Sequence, residues 1–233
     1  MERKKAEIII GTFVLAAVGL ITVHGVRYAQ TIKMTKEVRT VVIDAGHGGA
    51  DPGKVGINQA LEKDINLSIA KLVCRYLQQN DINVIMTRDD DAGLYDEGAQ
   101  NKKVQDLKRR LKKIEESGAE FAVSIHQNSY HEEPVKGAQV FYHGSSPDGK
   151  ALAELLQKQL IDGVDPKNTR VAKSNTSYYL LKETTVPTVI VECGFLSNWE
   201  EAGLLIEKEY QEKMAWNIAL GIMRYLNGGE SVV

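Results

Sequence analysis

The fold of this chain is decided by the stretch Val41-Val42-Ile43-Asp44-Ala45-Gly46-His47-Gly48-Gly49-Ala50-Asp51-Pro52-Gly53. Its first half is rich in β-branched residues, which favour the interior of a sheet. Its second half is rich in glycine, which allows backbone conformations that other residues resist and lets another group approach closely. The stretch therefore predicts a buried strand that ends in a tight loop, with His47 presented at the mouth of the sheet.

The composition is that of an ordinary globular protein. The chain has 233 residues, of which 43% are hydrophobic and 26% are charged. Its net charge of -2 gives no basic excess for general binding of nucleic acid, so we expect no such partner. The two cysteines, Cys74 and Cys193, are too few for a disulfide framework or a structural zinc site. We expect two buried free thiols.

The N-terminal segment, residues 1–26, has the pattern of a signal peptide or a signal-anchor. Basic residues at positions 3–5 precede an apolar run from Ile8 to Val23. That run is about 16 residues long, against about 20 for a spanning helix, and counting to Val26 it just suffices. The absence of a small-x-small cleavage site favours an uncleaved anchor. Either form predicts an extracytoplasmic domain, membrane-anchored or secreted, that contacts the membrane only through this segment.

After a polar linker over residues 27–39, residues 40–228 are predicted to form one α/β domain, followed by a short tail at 229–233. Strands are predicted over Thr40–Asp44, Ile82–Thr87, Phe121–Ile125, Ala138–Tyr142, Tyr179–Leu181 and Thr188–Glu192. Amphipathic helices are predicted over Leu61–Gln79, Lys103–Ser117, Lys150–Ile161, Trp199–Glu207 and Gln211–Leu226. This order predicts a twisted, mostly parallel or mixed sheet with helices on both faces.

Three of the predicted strands end in residues that can bind a metal or transfer a proton: His47, His126 and Glu192. Ligands collect at the carboxyl ends of strands in such sheets. Together with Glu62, in the first turn of a helix, these residues would suffice for a catalytic zinc site and a general base. Each also has a structural interpretation, since strand-end histidines are commonly hydrogen-bonded and Glu62 would suit a helix N-terminus. Glu192 is the hardest to explain structurally, because an unpaired carboxylate is costly to bury.

Two other motifs are weaker. Gly48 and Gly53-Lys54 have the spacing of a phosphate-binding loop, but Val55 stands where that loop needs a Ser or Thr hydroxyl. Pro52 removes an amide donor, and Asp51 would repel phosphate. Cys193 would suit a thiol nucleophile, but nothing in the sequence pairs it with a histidine.

The helix predicted over Lys103–Ser117 has a strongly basic face. Its basic residues are Lys103, Lys108, Arg109, Arg110, Lys112 and Lys113. The face over residues 103–113 is either simply solvated or a contact for an anionic wall polymer or a protein partner.

Four blocks of the sequence resemble the zinc-dependent N-acetylmuramoyl-L-alanine amidases. They are Val42-Ile43-Asp44-Ala45-Gly46-His47-Gly48-Gly49 with Asp51-Pro52-Gly53, Leu61-Glu62-Lys63-Asp64-Ile65-Asn66-Leu67, Ser124-Ile125-His126-Gln127-Asn128, and Val191-Glu192-Cys193-Gly194-Phe195-Leu196-Ser197-Asn198. The blocks agree in order and spacing over Thr40 to Leu226. Within the family, the chain is most similar to the short germination-specific form that acts on the spore cortex of endospore formers.

The resemblance implies a phosphorylase/hydrolase-like fold, one Zn²⁺ bound by His47, Glu62 and His126, and Glu192 as the catalytic glutamate. It implies cleavage of peptidoglycan between the lactyl group of muramic acid and L-alanine of the stem peptide. In the spore form this step leads toward muramic-δ-lactam, which is needed for germination, and places the protein on the forespore or cortex side.

Two further residues are candidates for binding the substrate. Arg88 follows the second predicted strand and is either an anchor for a stem-peptide carboxylate or a solvated loop residue. Asn128 occupies a position where the family commonly has a small polar residue. A zinc peptidase acting on wall peptides and a non-catalytic wall-binding scaffold are the alternatives that the sequence leaves open.

Overall fold

The computed structural model of the chain describes residues 5, 11, 14–26 and 38–228. The chain divides into two units, Met1–Val38 and Arg39–Val233. In the first unit residues 14–26 are helical. None of the helices in the described part of the chain combines the length and the hydrophobicity of a membrane-spanning segment. Part of the predicted signal segment, nearly all of the linker 27–39 and the tail 229–233 lie outside the described residues.

The second unit is built on a six-stranded sheet. Its strands are β1 (Thr40–Ala45), β2 (Asn83–Met86), β3 (Ala122–Asn128), β4 (Gln139–Tyr142), β5 (Lys173–Ser174) and β6 (Thr188–Phe195). Its helices are α1 (Glu62–Gln78), α2 (Lys102–Glu115), α3 (Pro147–Gly163), α4 (Tyr179–Glu183), α5 (Trp199–Ile206) and α6 (Lys208–Leu226). The strand order is β2-β1-β3-β6-β4-β5, and β4 runs antiparallel to β6 while the other pairs are parallel. The predicted mixed sheet is confirmed.

Alternation along β1 explains why helices cover both faces. Val41 and Ile43 point to the face covered by α1, α3 and α6, and both are fully buried there. Val42 points to the other face, where it packs with Ile114 of α2 and Leu180 of α4. Each such apolar side chain contributes about 1.5–3 kcal/mol when it is fully buried. Helices therefore cover both faces of the sheet, as the sequence predicts. Cys74 and Cys193 are buried free thiols, which is also as predicted.

The predicted strand over Tyr179–Leu181 is wrong, because these residues begin helix α4. Leu180 packs with Val42 in one apolar cluster, and Leu181 packs with Phe141 in another. A short apolar run does not by itself distinguish a strand from one buried helical turn. The two-residue strand β5 was not predicted.

The carboxyl ends of β1, β3 and β6 lie side by side at one edge of the sheet. His126 of β3 stands opposite Glu192 of β6 in the parallel register, and the register shifts between His126 and Asn128. This edge brings the strand-end residues of three separate stretches of sequence together.

Candidate metal centre

His47 lies two residues past the end of β1, in a tight turn of the backbone. Its φ angle is 62°, in a region that residues other than glycine rarely adopt and that is found preferentially at functional sites. Glycine is needed at position 46, because a Cβ there would lie 2.2 Å from Cε1 of His126. Gly53 has φ of +65°, and a Cβ on it would lie 2.6 Å from Oε2 of Glu62. The glycine-rich loop therefore packs its backbone directly against the other two predicted ligands.

Glu62, the first residue of α1, has its carboxylate at the middle of the site. Its Oε1 lies 3.2 Å from Nε2 of His47 and 3.0 Å from Nδ1 of His126. Two backbone N–H groups donate to the same carboxylate, Gln127 to Oε1 at 3.1 Å and Lys54 to Oε2 at 2.7 Å. Burial would raise the pKa of Glu62, but hydrogen bonds from the histidines outweigh it and hold the pKa far below its usual range.

The donor set of His47, Glu62 and His126 fits a zinc ion. The potential ligand atoms of the three residues all lie within 4.8 Å of one another. Two imidazoles and one carboxylate are the ligands of catalytic zinc sites that keep one position open. The second ring nitrogen of His47, Nδ1, lies 2.9 Å from Oδ2 of Asp51. A carboxylate in that place orients a metal-binding histidine.

The charge of the site also favours a cation. Burial would lower the pKa of His47, but the carboxylates of Glu62 and Asp51 outweigh it and raise the pKa to about 9. The acidic surroundings thus hold a proton on His47 at neutral pH when no metal is bound. A metal ion must displace that proton to bind.

Glu192 is placed as a general base would be. It is 7% exposed, and within the described part of the chain its Oε2 is buried without a hydrogen-bond partner. The hydroxyl of Tyr178 lies 3.5 Å from its Oε1. Burial is the main cause that raises the pKa of Glu192 to about 7. A carboxyl group that titrates near neutrality can both accept and return a proton.

Arg88 lies beneath the loop rather than in the open. It is 3% exposed, and its guanidinium donates to the backbone oxygens of Ala45 at 2.8 Å and Gly46 at 3.0 Å. It also donates to the backbone oxygens of Lys63 and Asp90, both at 2.8 Å. The side chain predicted to anchor a stem-peptide carboxylate is therefore bound to the protein's own backbone and supports the loop.

Asn128 borders the site at the end of β3. It is half-buried, and its Oδ1 accepts from the backbone N–H of Ser129 at 2.8 Å. Its backbone oxygen accepts from Leu196 N–H at 2.9 Å. The structure thus places Asn128 near His126 but gives its side chain a local hydrogen bond.

Arg110 corrects the prediction of a uniformly basic outer face on α2. It is 1% exposed and points inward, where it donates to Asp44 at 2.7 Å and to Asp106 at 2.5 Å. It also donates to the backbone oxygen of Ala45 at 2.6 Å and to that of His47. Arg110 therefore holds the end of β1 and the His47 turn from below.

Several supporting residues were missed from the sequence. Asn66, one turn after Glu62 on the same face of α1, donates to the backbone oxygen of Gly46 at 3.1 Å. It also accepts from Nε2 of Gln127 at 3.1 Å. The i, i+4 spacing of Glu62 and Asn66 on one helix could have predicted that Asn66 lies near the site. No pattern in the sequence could have predicted Tyr178, because it reaches Glu192 from a loop.

Residues 41–224 match the Amidase_3 family, N-acetylmuramoyl-L-alanine amidase. The chain belongs to this amidase family. As an N-acetylmuramoyl-L-alanine amidase, it is a hydrolase of cell-wall peptidoglycan. The predicted resemblance is confirmed.

Relatives of this amidase include a germination-specific member. The germination-specific N-acetylmuramoyl-L-alanine amidase of Bacillus subtilis is 40% identical over 190 residues, covering 80% of this chain and 79% of the relative. The solved CwlD amidase from Clostridioides difficile, in complex with the GerS lipoprotein, has a TM-score of 0.79 and 41% identity, covering 82% of this chain and 99% of that one. The catalytic domain of CwlV from Bacillus (Paenibacillus) polymyxa var. colistinus has a TM-score of 0.72 and 34% identity, covering 82% and 99%.

Proposed function

We propose that this amidase depends on one zinc ion and hydrolyses the amide between the lactyl group of N-acetylmuramic acid and L-alanine of the stem peptide. The observation that carries the proposal is the convergence of the His47, Glu62 and His126 ligand atoms within 4.8 Å. Glu192 of the adjacent strand stands opposite His126 in the β3–β6 register. All the groups that amide hydrolysis requires are then present on one edge of the sheet.

Each protein group has a separate part in the reaction. When bound, Zn²⁺ would polarise the lactyl carbonyl and lower the pKa of a water in the open position. Glu192 accepts a proton from the attacking water and returns it to the alanine nitrogen as the amine leaves. Asp51 orients the His47 ring through Nδ1, and Tyr178 restrains the carboxylate of Glu192.

The contact with a stem-peptide carboxylate, predicted at Arg88, is better assigned to Lys103. Lys103 is exposed, and it lines a cavity of about 50 Å³ together with His47 and His126. By contrast, the guanidinium of Arg88 donates four hydrogen bonds to backbone oxygens. An ammonium group on the wall of this cavity can pair with a carboxylate close to the scissile amide. Asn128, at the end of β3, remains a second candidate contact.

The setting of the reaction is proposed from the relatives. We place it outside the cytoplasm in the spore cortex, as a step toward muramic-δ-lactam, because one relative is named germination-specific. Residues 1–26 would serve as the signal-anchor. The solved CwlD is in complex with a lipoprotein, and the exposed basic side chains of Lys108 and Lys112 on α2 offer a surface for a comparable partner.

Mass spectrometry of muropeptides tests the proposed function. Purified peptidoglycan is digested with the enzyme, with and without a chelator, and the products are identified. We expect free stem peptides that begin with L-alanine, together with muramic acid bearing a free lactyl carboxylate, and loss of both with chelator. New termini within the stem peptide would indicate a zinc peptidase instead, and no product at all would indicate a scaffold.

A further inference from the structure

Two large aromatic side chains are exposed on the segments that follow the strands carrying His126 and Glu192. Tyr130 follows β3 and is 47% exposed, and Trp199 begins α5 after β6 and is 59% exposed. The strands that precede them carry His126 and Glu192 at the same edge of the sheet. Tyr130 and Trp199 therefore lie on the segments that follow these two strands.

Residues 129–137 and residues 196–201, which include the start of α5, are hydrogen-bonded to each other along their length, and we call these two segments the aromatic rim. The Tyr130 N–H donates to Oγ of Ser197 at 2.9 Å, and the Trp199 N–H donates to Oε1 of Glu133 at 3.1 Å. The Asn198 side chain donates to the backbone oxygen of Glu133 at 2.9 Å. Further contacts of this kind join Lys136 with Glu200 at 2.5 Å and Gly137 with Glu201 at 2.9 Å.

The rim is held in place by contacts within the protein. His131 packs against the Tyr130 ring with 4.2 Å between ring centroids. Hydrogen bonds at both ends of each segment fix the backbone that carries the two aromatic side chains. A ligand that bound here would therefore lose little affinity to the cost of ordering the segments.

The adjoining site indicates what this ligand is. The scissile amide is attached through the lactyl group to a sugar ring, so the glycan strand must pass close to Glu192. Sugar rings present C–H groups on their faces, and these pack favourably on the electron-rich faces of aromatic rings. A protein partner would also bury aromatic side chains, but the rim continues from the strands that carry His126 and Glu192. Sugars that flank the cleaved muramic acid along a glycan strand are therefore the expected ligand, and a single disaccharide lacks them.

We propose that Tyr130 and Trp199 form a glycan-binding subsite that holds the sugar strand of peptidoglycan beside the metal centre. The inference rests on the proposed function for the position of the muramic acid. It assigns preference for polymeric strands over single disaccharides to these two side chains, which take no part in the chemistry.

Kinetics on substrates of two lengths test this subsite. Trp199→Ala and Tyr130→Ala are assayed on glycan strands bearing stem peptides and on a single disaccharide muropeptide. Each variant should raise KM for strands by about two- to tenfold, with kcat and the disaccharide reaction at wild-type values. Trp199→Phe should restore strand binding. Trp216→Ala is the matched control, since Trp216 is 43% exposed and packs edge-on against Tyr76.

Wild-type KM for strands in both alanine variants would overturn the subsite, as would equal losses on strands and disaccharides. If wild-type enzyme releases stem peptides from both substrates and the variants match it, only this inference fails. If wild-type enzyme releases none, the proposed function fails.

A binding measurement separates glycan binding from amide hydrolysis, because peptide-free glycan strands contain no scissile amide. The chain has two tryptophans, so Trp216→Phe leaves Trp199 as the reporter of fluorescence. Its emission should change when strands are added, and the emission of Trp199→Phe should not. Emission of Trp216→Phe that strands leave unchanged would contradict a glycan subsite and indicate that the rim serves a protein partner.

Discussion

Replacing Arg110 with alanine removes the charge beneath the His47 turn, and we expect it to destabilise the catalytic domain. Arg110 donates to Asp44 at 2.7 Å and to the backbone oxygens of Ala45 and His47. Breaking a buried ion pair by removing one partner costs about 3–5 kcal/mol, because the remaining charge stays buried and unpaired. Against a typical total of about 5–15 kcal/mol, the loss is large enough to measure.

The pKa of Asp44 supports this magnitude. Burial would raise that pKa, but the Arg110 charge and hydrogen bonds from Ser124 and Thr87 outweigh it and lower the pKa to about 2. A change from 3.8 to about 2 corresponds to roughly 2 kcal/mol of stability. Because the folded-state pKa is lowered, this stability is present above about pH 4. It is lost as the pH falls toward 2.

Urea denaturation of a double-mutant cycle is the assay. At pH 7, Arg110→Ala and Asp44→Asn should each lower the free energy of unfolding. The double variant should lose about 2 kcal/mol less than the sum of the two single losses. Strictly additive losses, or an Arg110→Ala variant as stable as wild type, would refute the assignment of a coupled buried pair.

Three further predictions concern the site. Lys103→Ala should raise KM about two- to fivefold for a muropeptide whose second stem residue has a free α-carboxylate. The pairing of Lys103 with this carboxylate would be contradicted if KM rose equally for the muropeptide with an α-amide at that residue, or if Lys108→Ala raised KM as much as Lys103→Ala does. Tyr178→Phe should lower kcat and move the acid limb of the pH–rate profile upward, because the tyrosine hydrogen bond lowers the pKa of Glu192; an unmoved limb would argue against it. Zinc binding at pH 7 should release a proton from His47, whose metal-free pKa is about 9, and identical calorimetric heats in buffers of different ionisation enthalpy would count against that.

The proposed metal ligands could be predicted from the sequence because each lies where a local pattern begins or ends. His47 and His126 follow apolar runs that predict buried strands, and Glu62 opens a clearly amphipathic helix. Parallel strands place such ends at one edge, so the convergence follows from topology. What spacing alone left open was whether the histidines bind a metal, and the family motifs supplied that expectation.

The supporting residues were not accessible in the same way. Arg110 lies in a helix whose other basic residues are mostly exposed, and its burial depends on Asp44, which is 66 residues away in sequence. The sequence around Arg88 is typical of a surface loop, and its burial follows only from the backbone oxygens of Ala45, Gly46, Lys63 and Asp90 that surround it. Such pairings depend on tertiary contacts, which periodicity does not report.

The helix α4 was missed for a related reason. Its five residues, Tyr179–Glu183, are too few to show a helical period. Leu180 and Leu181 pack into different apolar clusters, and this division appears only once the sheet and α2 are assembled.

The most direct test of the account is the activity and metal content of Glu192→Gln. Glutamine keeps the shape of the side chain but cannot accept the proton. Release of stem peptides from purified peptidoglycan, followed by mass spectrometry, should fall by about 10²–10⁴-fold. Bound zinc, measured by elemental analysis, should equal that of wild type, whereas His126→Ala should lose it. A Glu192→Gln enzyme that released stem peptides at the wild-type rate would contradict the role of Glu192 as the general base.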